Sequence, residues 1–255
     1  MIRRNLKIQL IYRCVLLLVA ITSIVLSFTM MNLNAKDGNA PISPFLFYTN
    51  WSVYLASIAI FASFLSTLIQ VIKGNKEGSN RFLPIVKFAS VIMIIATFIV
   101  SAFVLPDKIW TAGYWTLSSI FKHFLLPIMV VADAIAFDPK RTYRVSYPFL
   151  ALIAPLAYWV AVIVRALVHR SAEGGMIPEF QWSYYYPYGF TNFDNGHSVG
   201  GLIGLLGGIL VGLILIGFLF YVFNHFVKVD GKRKIDRSID EASCHDIFTL
   251  AFKRG

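Results

Sequence analysis

The sequence predicts an all-α, polytopic membrane protein, a bundle of six transmembrane helices with N and C termini cytoplasmic. Three observations predict it. Of the 255 residues, 57% are hydrophobic and only 14% charged, with a mean hydropathy of +0.68. A soluble domain carries roughly 45–50% apolar and about 25% charged residues. Six apolar runs reach the roughly 20 residues that a helix needs to cross a bilayer. The basic residues gather on alternate connections between those runs. The net charge of +10 would suggest nucleic acid in a soluble chain. Here topology accounts for it, and no nucleic-acid partner is expected.

The runs lie near 9–31, 45–72, 84–105, 114–137, 147–169 and 199–225. They make residues 1–225 one transmembrane domain, followed by a basic cytoplasmic tail, 226–255. The first run follows Arg3, Arg4 and Lys7. It is too long for a signal-peptide core and no small-residue cleavage site follows, so it reads as a retained helix. Arg3, Arg4, Lys7 and Arg13 mark one side. Lys73, Lys76, Arg81 and Lys87 around the second connection, Lys140, Arg141 and Arg144 around the fourth, and the tail mark the same side. The other connections hold only Lys36, Lys108 and Arg170. The positive-inside rule therefore places both termini in the cytoplasm.

The second helix has a readable face. Thr49, Ser52, Ala56, Ala59, Ser63, Ser66 and Gln70 follow at spacings of three or four, with Tyr54, Ile58, Phe61, Phe64, Leu65 and Leu68 elsewhere. The small face is expected to point into the bundle, where small residues allow close approach. In the fourth helix, "FKHFLLPIMVVAD" (121–133) carries Lys122, His123, Pro127 and Asp133. Pro127 has no N–H, so the carbonyl of His123, four residues earlier, loses its helical partner and a bend is expected there. Counting from Trp115 at the outer side, His123 lies roughly 12 Å deep at 1.5 Å per residue. An intramembrane His marks a candidate functional site, with hydrogen bonding between helices as the plainer role. Lys122 and Asp133, towards the helix ends, are expected to reach an interface.

The fifth helix adds Tyr158 and Arg165, seven residues apart and so near one face. Thr49, His123 and Arg165 thus reach similar depth from three helices, which points to a shared polar pocket opening outwards. The following connection, 170–198, contains "QWSYYYPYGFTNFDNGH". Its aromatics suit an interfacial belt, or a lid over a site. In the sixth helix Gly200, Gly204, Gly208 and Gly212 form a GxxxG ladder. Such a ladder signals tight helix contact, inside the bundle or between copies in a homo-oligomer. Cys14 and Cys244 form no disulfide framework or metal motif, and no cofactor or metal is expected.

A hydroxyl beside a neutral imidazole is a nucleophile–base pair, and a nearby arginine holds a carboxylate or a developing negative charge. Several segments also carry a family resemblance. "HFLLPIMVVADAIAFDPKR" (123–141) is similar to the His-x-x-x-Pro…Asp-x-x-x-Phe segment of Pr6Pr family bacterial membrane proteins. "YPFLALIAPLAYWVAVIVRA" (147–166), "YYPYGFTNFD" (185–194) and "FLFYTNWSVYLASI" (45–58) resemble three further segments of that family, in the same order and spacing. Val53 and Ala166 depart from its usual Asn and Gly. Pr6Pr proteins in turn resemble the FAR-17a/AIG1-like intramembrane hydrolases of fatty acid esters. The resemblance implies a bacterial plasma membrane, a threonine nucleophile at Thr49 and a histidine base at His123.

Two functions are therefore expected as alternatives. One is a lipid-ester hydrolase using Thr49 and His123, with Ser52, Tyr158 and Arg165 contacting the substrate. The other is a non-catalytic binder or transporter of an amphipathic small molecule, using the same pocket. A bis-histidine haem protein ranks third, since His169, His197, His225 and His245 lie towards or beyond helix ends.

Overall fold

A computed structural model describes residues 5–36, 43–75, 78, 83–104, 116–172, 174–175, 185–188, 192 and 199–226. All six predicted helices are present, and no strand occurs among the described residues. We number them α1 (Leu6–Lys36), α2 (Tyr48–Ile72), α3 (Pro84–Ile99), α4 (Leu117–Phe137), α5 (Tyr147–Ala172) and α6 (Val199–Phe226). Each is long and apolar enough to cross a membrane. Successive helices run antiparallel, so the bundle has two ends. The proximal end holds the start of α1, and the distal end the start of α2.

Helix α1 buries one stripe, Leu6, Gln9, Arg13, Leu16, Ala20, Ser23 and Ser27, at alternating steps of three and four. Its other faces expose Ile11, Leu18 and Val25, as a lipid-facing surface requires. The small face of α2 points inwards as expected. Ser52, Ala56, Ala59, Ser63 and Ser66 are buried, while Ile58, Phe61 and Leu65 are exposed. Two of the buried α2 hydroxyls find backbone or side-chain partners. Thr67 donates to the Ser63 carbonyl at 2.8 Å, and Ser52 meets Thr97 of α3 at 2.8 Å.

Prolines and π turns interrupt regular geometry. Helix α3 continues into a π turn, Val100–Val104. In α4 the expected disturbance around Pro127 takes the form of a π turn, Ile120–Leu125, just before the proline. The Leu126 N–H bonds the Phe121 carbonyl, five residues back. In α5, Pro155 cannot donate to the Ala151 carbonyl. The helix accordingly breaks between Tyr147–Leu150 and Ile153–Ala172.

Near the proximal end, Phe88 of α3 meets Tyr143, Tyr147 and Phe220 edge-on or tilted, at centroid distances of 5.0, 5.8 and 5.7 Å. Gly217 of α6 lets Pro148 approach closely. A Cβ there would stand 3.1 Å from the proline side chain. The glycine ladder behaves differently. At Gly200, Gly204, Gly208 and Gly212 an added Cβ meets nothing within 4 Å. Among the described residues, then, no other helix approaches these four glycines closely enough to need the missing Cβ. The tail beyond Phe226 and most of the 170–198 connection lie outside the described residues.

Candidate functional site

The distal end holds Thr49 at the start of α2 and the π turn that carries Lys122 and His123. Thr49 lies in the first turn of α2 and is half-buried. Its carbonyl accepts the Ser52 hydroxyl at 2.7 Å. The π turn of α4 carries Lys122 and His123, both half-buried. Lys122 Nζ reaches Asn50 Oδ1 at 3.5 Å, and the Ser27 hydroxyl donates to that same oxygen at 3.1 Å. Asn50 Nδ2 donates to the Pro44 carbonyl at 2.6 Å. Asn50 thus ties α1, the start of α2 and the π turn together. The residue pairs Thr49–Asn50 and Lys122–His123 lie on adjoining segments. π turns interrupt α-helices frequently at functional sites.

The other candidates sit further round. Ser52 is fully buried, with its hydroxyl shared between the Thr49 carbonyl and Thr97. Tyr158 is 0% exposed and donates its hydroxyl to the Leu46 carbonyl at 2.9 Å. Tyr48, Trp51 and Trp159 surround it at 5.4, 5.6 and 5.0 Å. Tyr188, from the aromatic connection, folds back on this cluster. It packs on Trp159, and its hydroxyl oxygen accepts the Tyr48 N–H at 3.2 Å. Burial pushes the Tyr188 phenol up to about 12, so it stays protonated at neutral pH. Arg165 is exposed, its guanidinium 5.0 Å from the Tyr185 ring centre. Tyr185 also stacks on His169 at 3.8 Å. Tyr158 and Arg165 therefore differ: one is locked into the start of α2, the other faces outwards beside the aromatic connection.

The proximal end holds a second constellation. Arg13 of α1 is 0% exposed. Its Nε donates to Asp133 Oδ1 at 2.9 Å and its Nη1 to Thr67 Oγ1. Lys87 Nζ bridges Asp133 Oδ2 and Asp138 Oδ1. The Tyr143 hydroxyl donates to Asp138 Oδ2. Two cations and two carboxylates, with Thr67 from α2, thus lock α1, α2, α3 and α4. Asp133 is 3% exposed, which corrects the expectation that it reaches an interface. From the sequence, Arg13 and Lys87 mark only the orientation of the helices. One signal for the pairing was available: Arg13, Lys87 and Asp133 lie within about 10 Å of the same helix ends at 1.5 Å per residue. Opposite charges at matched depth in a bilayer find one another.

No group of three metal-ligating side chains converges among the described residues. The fold and its interior polar groups define the class: a helical, multi-pass membrane protein. No family model, curated protein or solved structure matches the chain.

Proposed function

We propose that the protein hydrolyses an ester of an amphipathic lipid at the distal end of the bundle. The observation that carries this reading is the placement of the Lys122–His123 π turn against Asn50, the neighbour of Thr49. The roles of nucleophile and base rest on the Pr6Pr and FAR-17a/AIG1-like resemblance. Thr49 Oγ1 attacks the ester carbonyl carbon while His123 takes its proton. The tetrahedral intermediate collapses, and the leaving alcohol takes that proton from His123. Water, with His123 again as base, then cleaves the acyl–threonine. The Lys122 ammonium, which reaches Asn50 beside Thr49, supplies positive charge for the transient oxyanion. Arg165, facing outwards beside Tyr185, suits an acidic headgroup arriving sideways from the bilayer. In this reading both termini are cytoplasmic, the distal end faces outwards, and the host membrane is a bacterial plasma membrane.

The test is covalent labelling in native membranes with a lipophilic fluorophosphonate. Wild type is compared with Thr49→Ala and His123→Ala at matched expression and folding. Labelling that vanishes in both variants supports an activated threonine. Folded wild type that takes no label, or a Thr49→Ala variant that still does, favours the second reading. That second reading is a non-catalytic binder or transporter of an amphipathic small molecule. The proximal charges favour it, because ion pairs between transmembrane helices mark substrate and ion pathways.

A further inference from the structure

We propose that Asp138 is a proton-binding site, at which uptake of one proton from the proximal end releases Lys87 and loosens the junction between α3 and the end of α4. The inference stands apart from the Thr49–His123 chemistry.

The cluster is balanced in charge but uneven in its contacts. Asp133 has a cation on each oxygen: Arg13 Nε on Oδ1 and Lys87 Nζ on Oδ2. Asp138 has only a share of the same Lys87 on Oδ1, and the neutral Tyr143 phenol on Oδ2. Arg13 Nη2 stands 3.8 Å from Asp138 and makes no hydrogen bond. One ammonium therefore serves two carboxylates, and Asp138 is the less firmly held. Among the described residues, Lys87 and this longer Arg13 contact are the cations within ion-pair distance of Asp138. Tyr12 of α1 donates to the Met129 carbonyl at 2.8 Å, and Thr67 of α2 is neutral. Lys140 lies over the Phe223 ring of α6 at 4.8 Å.

Position adds to this imbalance. Asp138 follows the last residue of α4, where the negative end of the helix dipole opposes a carboxylate. It lies just beyond the apolar span Leu117–Phe137, so it is the carboxylate nearer the proximal surface. Lys87 retains 8% exposure, whereas Arg13 retains none. Burial, aided by the neighbouring Asp133 charge, pushes the Asp138 carboxyl above its ordinary range, and burial beside Asp138 pushes the Tyr143 phenol well up. Tyr143 therefore remains a hydrogen-bond donor, not a competing acid.

The proton balance is simple. A proton from water joins the Asp138 carboxylate, and the cluster passes from neutral to one positive charge. Lys87 keeps Asp133 as its sole anionic partner. The segment from Asp138 to Tyr143, which also docks on α6 through the Arg141 N–H and the Asn224 carbonyl at 3.4 Å, is no longer held to α3 by an ion pair.

The test is infrared difference spectroscopy of the purified full-length protein in lipid vesicles, titrated from neutral to acid pH. The expected result is a carbonyl band of a protonated, buried carboxylic acid with a midpoint above the ordinary aspartate value of about 3.9. Asp138→Asn abolishes the band, whereas Asp133→Asn keeps it at a lower midpoint, because Lys87 then serves Asp138 alone. Tyr143→Phe keeps the band and raises its midpoint, because a hydrogen bond to the charged form has been removed. A variant without a structural role in titration would not move that midpoint. If either Asp variant does not fold, the Tyr143→Phe shift decides alone. A band lost in Asp133→Asn instead, a midpoint at or below the ordinary value, or an unshifted midpoint in Tyr143→Phe overturns the proposal.

Discussion

Replacing Arg13 tests the proximal cluster most directly. Arg13→Met keeps the apolar stem and removes the guanidinium. The loss follows from the geometry: Asp133 Oδ1 loses its 2.9 Å partner, Thr67 Oγ1 loses its donor, and the cluster is left with a net negative charge. Breaking a fully buried pair by removing one partner costs about 3–5 kcal/mol. Asp133→Leu makes the opposite error, with a surplus positive charge, and costs a similar amount. The double variant leaves Lys87 with Asp138 and no net surplus. Hydrophobic replacement of a whole buried pair is often neutral or stabilising. The double variant should therefore be much less destabilised than the sum of the single ones, with a coupling of roughly 2 kcal/mol or more, near the upper part of the 0.5–3 kcal/mol seen for contacting residues. Reversible unfolding in mixed micelles, followed by tryptophan fluorescence, gives the three free-energy differences. Single variants each within about 1 kcal/mol of wild type, the range of an exposed pair, would refute the reasoning. So would strict additivity.

Four further outcomes are expected. Lowering the pH from neutral should stabilise wild type relative to Asp138→Asn: folding raises the proton affinity of Asp138, so its ionised form weakens the fold at high pH and that loss disappears as the proton binds. Unfolding midpoints of both proteins across that range check the sign, and a gap that moves the other way sinks the argument. Tyr158→Phe removes the hydroxyl donated to Leu46 and should cost about 1 kcal/mol, with the freed carbonyl adding to it; thermal unfolding reads the loss. Gly217→Ala sets a Cβ 3.1–3.2 Å from Pro148 and should cost about 1–3 kcal/mol by overpacking, whereas Gly208→Ala meets open space and should be neutral or gain up to about 1 kcal/mol in helix propensity. Gly208→Leu should leave the monomer folded and abolish any oligomer formed through the ladder, which cross-linking in vesicles detects; an unchanged oligomer would show that the ladder does not join copies.

The parts of the fold legible in the sequence are those governed by length and by period. Bilayer thickness fixes how long each apolar run must be, so all six helices were readable. The inward face of α2 was readable for a similar reason. Small residues at steps of three and four leave only one stripe along which helices can approach, and Ser52, Ala56, Ala59 and Ser63 lie on it. Position along each helix was legible too, since each residue adds a fixed rise. Azimuth between helices was not. Tyr158 and Arg165 share a nominal face, yet α5 packs so that Tyr158 is buried and Arg165 exposed.

The same distinction explains the charges in "FKHFLLPIMVVAD". Depth alone suggested that Lys122 and Asp133 could reach an interface from opposite ends of one helix. The fold instead gives each a partner on a different helix: Asn50 for Lys122, and Arg13 with Lys87 for Asp133. Between them the π turn and Pro127 alter the register, so the two polar residues need not share a helical face. A buried ion pair is weak grounds for stability, because well-packed apolar residues would serve as well. Four ionisable groups buried together at one end of the bundle therefore call for another role. The uneven sharing of Lys87 between Asp133 and Asp138 supplies one, since only a cluster with one weakly held carboxylate can take up a proton while its remaining ion pairs keep the helices together.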